Sequence, residues 1–459
     1  MPLPEGVLPN PVVRDPRSSG VFIFGQLDPG LAAPAVQNWL QEIDGYLKTL
    51  RAPDRDGLQH FDAAVGFGPS FFRAGGATRF GLDGRVPAGF TDLPALPATF
   101  PFPPDFLIYA VSDTEEKLVQ LVQWMFGCKP IVSQLRIERG YQRANRRESF
   151  GFLDGLRNPG TGDRMSVALV GIDQMGDEPS WVEDASYLSY MKIKQDLDRA
   201  KALGNDAMEQ AIGRRKDDGS RLDQQSGVGP MQEPDFTDPA SPKDNSHVRK
   251  VGPRGQEQGS IAMLRRGLPY MDIRPDGTVE FGLHFVSFGD LDDFSTILNK
   301  WMTNPLFPAA TTGQDVLVVQ QLISFELAAL FIVPPHDDRY IGAQIFDPVQ
   351  VPAPATKGRV IVKKRVTDLN GNPLPQHTLR GAVFQVLQNG NPVGGSFTTD
   401  AAGHAMSGDI DINTQYVLHE VTPLQGANPA PDQPFTLSKR RQVVVVVNTF
   451  GQPPNTYGG

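Results

Sequence analysis

The chain has 459 residues, of which 39% are hydrophobic and 21% charged, a composition that supports two or three globular domains and excludes a disordered polymer. A formal net charge of -9 and a pI near 5.4 argue against nonspecific nucleic-acid binding, and no apolar run approaches the roughly 20 residues a membrane-spanning helix needs. The single cysteine, Cys128, excludes an intramolecular disulfide and any site built from paired cysteines.

At the start, Met1-Pro2-Leu3-Pro4-Glu5-Gly6 has no basic stretch followed by an apolar core, so no export signal is expected and the cytoplasm is the expected compartment. Residues 21–24 read as a short buried strand, 36–47 as an amphipathic helix, 106–111 as a strand, 115–126 as a second helix and 131–137 as a strand. The second half repeats the theme with strands at 188–193, 260–264 and 283–288, a helix at 294–301 and a late strand at 330–333. Strands mixed with helices without a βαβ rhythm predict an α+β fold. Residues 204–245, rich in charge, Gly and Asp, read as a long loop with one short helix. Pro348-Val349-Gln350-Val351-Pro352-Ala353-Pro354-Ala355 reads as a stiff linker. After it the texture is all-β: strands at 360–366, 382–387, 416–420 and 443–447 alternate with Asn370-Gly371, Asn389-Gly390 and Ala402-Gly403 turns, which suggests a small sandwich.

Three segments carry candidate chemistry. Gly151-Phe152-Leu153-Asp154-Gly155 sets a carboxylate beside glycines that allow the backbone to bend tightly, and taken alone it is a turn. Ser246-His247-Val248-Arg249-Lys250 supplies an imidazole, and Met263-Leu264-Arg265-Arg266-Gly267 a pair of guanidinium groups. The other histidines, His60, His284, His336, His377, His404 and His419, have no paired ligand spacing and read as surface or packed residues. His284, set in an apolar strand, is the one rival to His247.

Further segments follow the same order: Ala185-Ser186-Tyr187-Leu188, Lys192-Ile193-Lys194-Gln195-Asp196-Leu197, Ile212-Gly213-Arg214-Arg215-Lys216-Asp217-Asp218-Gly219, Leu264-Arg265-Arg266-Gly267-Leu268-Pro269-Tyr270 and Tyr340-Ile341-Gly342-Ala343-Gln344-Ile345-Phe346. With the Asp154 and His247 segments they make about the first 350 positions resemble the dye-decolorizing peroxidases. The resemblance implies two ferredoxin-like modules with antiparallel sheets, of the dimeric α+β barrel type, over residues 1–155 and 156–348. It implies a noncovalent haem b in the second module, its iron ligated by His247, with Asp154 as distal acid–base residue and Arg265 as distal arginine. Arg265 is selected over Arg266 because one residue separates the family's arginine from the following Gly or Asn. Arg266 is then expected toward the haem propionates or solvent, Gly155 close to the cofactor, and part of the 204–245 loop over one haem face.

A hydrogen bond from the second ring nitrogen of a haem-ligating histidine to a carboxylate makes the ring a stronger electron donor. The resemblance favours Asp290, in Phe288-Gly289-Asp290-Leu291-Asp292-Asp293, for that bond, while the same acidic run also reads as a helix N-terminus. The implied reaction reduces hydrogen peroxide and oxidises dyes, phenols and other aromatic reducing substrates. A carboxylate as proton acceptor predicts an acidic optimum. Trp181, Tyr187, Tyr190, Tyr270 and Trp301 are candidates to carry electrons to bulky substrates, with core packing the preferred reading of Trp301. The alternatives are a haem-binding or haem-handling protein, and a surface-adhesion protein with a vestigial peroxidase half. A homo-oligomer is compatible with each.

The tail, in Gly381-Ala382-Val383-Phe384, Thr398-Thr399-Asp400-Ala401-Ala402-Gly403, Tyr416-Val417-Leu418-His419-Glu420 and Val446-Val447-Asn448-Thr449, resembles the B-type repeat domains of Gram-positive collagen adhesins and pilins. That resemblance implies an Ig-like or prealbumin-like sandwich over 358–450, between a linker at 349–357 and a tail at 451–459, that binds a surface or polymer. It also implies an isopeptide bond between Lys364 and Asn448 promoted by Glu420, and an extracellular alternative for the location. Lys364 is preferred over Lys363 because strand alternation puts it on the face of Val360 and Val362.

Overall fold

The computed structural model describes residues 17–451 except 92–99, 143–144, 157, 160–163, 171–177, 223–242, 252–262, 308–311, 348–356, 370–373, 375–376, 401–402, 412–413 and 438–440. The first half is built from strand β1 (Ser19–Leu27), helix α1 (Ala33–Arg51), β2 (Phe61–Phe67), β3 (Phe106–Ser112), helix α2 (Glu115–Phe126) and β4 (Val132–Tyr141). In α1, Val36, Trp39, Leu40, Ile43, Leu47 and Leu50 recur every three or four positions and are all buried, and Lys48 and Arg51 sit in the last turn where the helix dipole favours cations. Helix α2 opens on Glu115 and Glu116, favourable for the same reason at the other end, and buries Leu118, Leu121 and Met125. Full burial of each such apolar side chain contributes about 1.5–3 kcal/mol, and the two helices thereby cover one face of the sheet.

The second half adds β5 (Ser186–Gln195), helix α3 (Asn205–Ile212), the one-turn helix α4 (His247–Lys250), β6 (Leu264–Arg265), β7 (Leu268–Ile273), β8 (Val279–Gly289), helix α5 (Leu291–Phe294), helix α6 (Val316–Val319) and β9 (Ile323–Val333). Helix α5 runs directly into a π-helical segment, Ser295–Met302, that buries Ile297, Leu298, Trp301 and Met302. The strands form one sheet in the order β4-β1-β3-β2-β9-β5-β8-β6, with β7 also on β8. Every pairing in it is antiparallel, and β2 meets β9 at the single pair Phe67–Ile332, the seam between a four-stranded and a five-stranded run. One large apolar cluster lies on the side of α1 and α2, and a second, with Phe22, Phe24, Tyr109, Tyr190, Val286 and Phe288, lies on the opposite side.

Strand β2 was not anticipated from the sequence: Asp62 and Gly66 interrupt its apolar run, and all seven residues are buried because Arg17 neutralises Asp62 at 2.6 Å. Strands β5 and β9 extend beyond their expected bounds. The strand expected at 260–264 lies mostly outside the described residues, and Leu264–Arg265 is its described part. The short helix expected within 204–245 is α3, and residues 223–242 of that loop lie outside the described residues, as do the linker at 348–356 and the Asn370-Gly371 turn.

The C-terminal region has two sheets. Strand β10 (Lys357–Asp368) pairs antiparallel with β13 (His404–Met406) and β14 (Ile410–Asp411), and parallel with the last strand, β17 (Arg441–Phe450). The second sheet runs β12 (Asn391–Thr398), β11 (Val383–Gln388), β15 (Thr414–Thr422), β16 (Gln433–Leu437), all antiparallel. Asn389 and Gly390, both at positive φ, close the β11–β12 hairpin as the sequence predicts. Inward residues of both sheets, Val360, Val362, Phe384, Val386, Leu418 and Val446 among them, share one core.

Candidate functional site

Asp154 is held by a loop that folds on Glu148. The Glu148 carboxylate is buried and accepts hydrogen bonds from the backbone N–H of Phe150 and of Phe152, each at 2.8 Å, and from Gln195 Nε2. Burial pushes its pKa up, and these donors oppose the shift. Gly151, at φ +92°, passes so close to Lys216 that a Cβ there would lie 2.8 Å from its Cε. Arg147 ties the loop down from outside by donating to the carbonyls of Gly151, Lys216 and Asp217. Asp154 leaves this turn with its backbone N–H on Arg146 O at 2.9 Å and its Oδ1 accepting from the N–H of Gly155 at 2.6 Å.

Arg265 ends β6, opposite Ser287 of β8. Asn158 fixes its backbone reciprocally: Asn158 Nδ2 donates to Arg265 O and Arg265 N–H donates to Asn158 Oδ1, both at 2.9 Å. Asp154, Gly155, Asn158, Arg265 and Arg266 line one cleft of about 470 Å3, counted with the solvent at its mouth, together with Arg146 and Glu148. Burial draws the Arg265 pKa below its ordinary value, against the opposing charge of Asp154. Arg266 is 3% exposed, so of its two expected directions solvent is excluded.

His247 is the first residue of α4. Its Nδ1 lies 2.7 Å from Asp315 Oδ2, and the Asp315 carboxylate is fully buried. Asp315 also caps α6, its Oδ1 accepting from Leu317 N–H at 2.9 Å. Burial acts to lower the His247 pKa, but the charge and hydrogen bond of Asp315 outweigh it and the imidazole sits above its ordinary value. Asp154 and Arg265 both act electrostatically on the ring, with opposite signs, so the carboxylate, guanidinium and imidazole singled out in the sequence share one electrostatic neighbourhood. An apolar cluster of Met191, Leu298 and Met302, with Val251, Phe285 and Phe325 packed on it, adjoins α4 through Val251.

The carboxylate expected on His247 was Asp290, and this is corrected: the partner is Asp315. The Asp290 side chain accepts from Asp293 N–H at 2.7 Å and caps α5, the other reading of that acidic run, because a carboxylate at an N-cap satisfies an exposed helix N–H. Asp290 lines a separate cavity with Glu178 and Tyr187. The five aromatic candidates for carrying electrons to the surface, Trp181, Tyr187, Tyr190, Tyr270 and Trp301, are all at most 5% exposed. His284, the rival ligand, is enclosed between Tyr190 and the Arg139 carbonyl.

In the C-terminal region Lys364, Glu420 and Asn448 converge in the core. Lys364 Nζ lies 2.5 Å from Glu420 Oε1, and Asn448 Nδ2 donates to Glu420 Oε2 at 2.6 Å. All three are buried, and burial lowers the Lys364 pKa despite the opposing Glu420 carboxylate. Lys364 and Asn448 stand two residues out of register on the parallel pair β10–β17.

Fold and site together define an α+β protein in which a carboxylate and a guanidinium line one cleft and act electrostatically on a carboxylate-bound imidazole. Residues 145–338 match the family model described as Dyp-type peroxidase, C-terminal. The chain is 26% identical over 289 residues to a deferrochelatase of Escherichia coli, covering 58% of this chain and 65% of that protein, so the match spans just under two thirds of that relative. It is 26% identical over 312 residues to the dye-decolorizing peroxidase of Thermobifida fusca, 62% of this chain and 66% of that protein. The solved DyP-type peroxidase of Streptomyces coelicolor superposes with a TM-score of 0.61 at 24% identity, over 75% of this chain and 96% of that one. A DypB variant of Rhodococcus jostii, solved in complex with heme, superposes at 0.54 and 20% identity over 71% of this chain and 98% of that one. Over residues of about 19–345 the chain is similar to DyP-type peroxidases, at about 25% identity.

Proposed function

We propose that this protein is a haem peroxidase that reduces hydrogen peroxide and oxidises dyes, phenols and other bulky aromatic donors. The observation that carries the reading is the His247–Asp315 pair, on which the cleft-lining Asp154 and Arg265 both act electrostatically. The donor set fits haem. Among the described residues no three His, Cys, Asp or Glu side chains converge as a metal cage, so the protein offers one imidazole to a metal whose other ligands come with a macrocycle. An apolar cluster lies next to that imidazole, and the only cysteine makes the attachment noncovalent.

With Nδ1 engaged by Asp315, His247 leaves Nε2 as the atom that would hold a haem iron, and the buried carboxylate would strengthen the ring as a donor. Haem b would be held there by His247, with Gly155 and Arg266 as further residues of its site, and would supply the redox-active iron that peroxide reduction needs. Asp154, with Oδ1 fixed by Gly155 N–H, takes the proton from the inner peroxide oxygen on Oδ2 and returns it to the outer one. Arg265 stabilises the negative charge that develops on the departing oxygen. Asp315 rather than Asp290 is the carboxylate that would orient His247. Residues 1–155 and 156–348 act as two modules of this unit, and the region 358–450 as an accessory domain behind a linker at 349–357.

The accessory domain is read as self-crosslinking. Neutral Lys364 Nζ attacks Asn448 Cγ, Glu420 relays the proton to Asn448 Nδ2, a Cγ–Nζ amide forms and ammonia leaves. The buried contacts of Glu420 with both partners support this. An intact mass lower than the sequence mass by one ammonia is expected, and the full sequence mass would overturn it.

The relatives named deferrochelatase favour a second reading, in which the chain handles haem rather than turning over peroxide. Incubation of the haem-loaded protein with and without peroxide separates the two: peroxide-dependent dye bleaching supports the first, and release of metal-free porphyrin without it supports the second.

A further inference from the structure

We infer that Tyr190 and His284 form a buried proton-coupled redox pair, in which Tyr190 is oxidised to a neutral radical while His284 keeps its proton. The inference rests on the peroxidase reading above and goes beyond it. Tyr190 on β5 and His284 on β8 are each 0% exposed, and their rings stack at 5.9 Å with an interplanar angle of 22°. The Tyr190 hydroxyl lies 3.0 Å from His284 Nδ1, and His284 Nε2 lies 3.0 Å from the Arg139 carbonyl. A carbonyl oxygen only accepts, so Nε2 carries the hydrogen, Nδ1 is the acceptor, and Tyr190 donates into it.

Loss of an electron makes a phenol strongly acidic, and a buried cation with no base beside it is costly. Here the base is in contact. Burial, opposed by Glu138 and reinforced by Lys192, pulls the His284 pKa down to about 4, which keeps the ring neutral and able to accept. The charged groups around the pair are Glu138, Lys192 and Asp272, with Arg136 acting on Tyr190, and Lys192 is itself ion-paired to Glu138 at 2.7 Å and Asp272 at 2.6 Å. Gly140 leaves room for the ring: a Cβ there would lie 3.0 Å from His284 Cδ2.

The pair is connected to the cleft through rings. Tyr109 donates to the Arg266 carbonyl at 3.4 Å and stacks on Phe22 at 5.1 Å; Phe22 lies 5.3 Å from Tyr190 and 4.9 Å from His284. Reduction of one hydrogen peroxide to two waters takes two electrons and two protons. Tyr190 supplies one electron; its phenolic proton moves to His284 Nδ1, leaving a tyrosyl radical and an imidazolium. The second electron comes from the reducing substrate and the two protons from solvent. A reductant that later returns one electron to Tyr190 draws the proton back from His284. Since neither ring reaches solvent, the pair holds an oxidising equivalent away from water rather than passing it directly to a bulky donor.

The test is freeze-quenched electron paramagnetic resonance of the haem-loaded full chain mixed with hydrogen peroxide without reductant. Wild type grown with ring-deuterated tyrosine should show a tyrosyl radical whose hyperfine pattern collapses on deuteration. Tyr190→Phe should abolish it, and His284→Gln, which accepts a hydrogen bond but no proton, should reduce its yield at least about tenfold; absorbance and circular dichroism of both variants report haem loading and fold. A tyrosyl signal that persists in Tyr190→Phe, or no tyrosyl signal in wild type whose haem spectrum responds to peroxide, overturns the pair and leaves the peroxidase reading standing. No Soret band in wild type overturns that reading and the pair with it. Nitrogen-15 spectra of His284 give a readout without haem: a neutral ring protonated at Nε2 is expected near pH 6, and an imidazolium or the Nδ1–H tautomer contradicts the assignment.

Discussion

Acidification should unfold this protein partly through one ring. His284 has its pKa pulled down to about 4 by burial, so in the fold it is neutral at pH 7, whereas in the unfolded chain it takes a proton near 6.5. Between those values the unfolded state binds one more proton, so stability falls as pH drops through 6.5, and the loss is complete below about 4. The interval, at about 1.36 kcal/mol per pH unit, sets that loss at roughly 3 kcal/mol. The assay is urea unfolding of wild type and His284→Gln between pH 8 and pH 4, with stability taken from the midpoint and slope. Carboxylates titrate in both proteins, so their difference isolates the ring. At pH 7–8 the variant is less stable, having lost the native pairing with Tyr190 and Arg139, and the gap closes by roughly 3 kcal/mol toward pH 4. A gap independent of pH refutes the reasoning.

Replacing Asp315 with Asn leaves an oxygen to cap α6 but removes the anion from His247, and peroxide-dependent dye oxidation should fall by about 10–100-fold; an unchanged steady-state rate would reduce Asp315 to a helix cap. Asp154→Asn should retain haem by absorbance while peroxide cleavage slows by about 10²–10⁴-fold in stopped-flow traces. If that variant keeps full activity, Arg265 is the essential distal group. Glu148→Gln takes away one of the two acceptor oxygens of the loop, at about 1–3 kcal/mol, and faster hydrogen exchange at the Phe150 and Phe152 amides is the expected sign; unaltered protection would mean the loop holds without the charge.

The three candidate segments could be singled out because each is a local phrase that survives without knowledge of tertiary contacts: glycines about Asp154, a short helical turn at His247, a paired basic segment at Arg265. The partner of His247 was not legible. Asp315 lies 68 residues beyond it, in Gln314-Asp315-Val316, with no run of acids to draw attention, whereas 290–293 has three carboxylates and the stronger local signal. What selects Asp315 is the packing of α4 against the start of α6, where Val316 N–H also donates to Asn245 O. Glu148 escaped for a similar reason: nothing local says that a glutamate will turn inward and hold the N–H groups two and four residues later. The helix of 115–126 was read to its ends because acidic first-turn residues and Gly127 bound it, while β2 was missed because its polar Asp62 is neutralised only by the distant Arg17. The Lys364 face followed from alternation alone, since in a strand the period of two decides which side chain enters the core.

The most direct test of the account is a haem titration of wild type and His247→Ala followed by absorbance, with peroxide added at the end point. The account predicts a Soret band that saturates at one haem per chain in wild type and shifts on adding peroxide, and its loss or displacement in His247→Ala. Equal saturation and the same peroxide response in His247→Ala would contradict it.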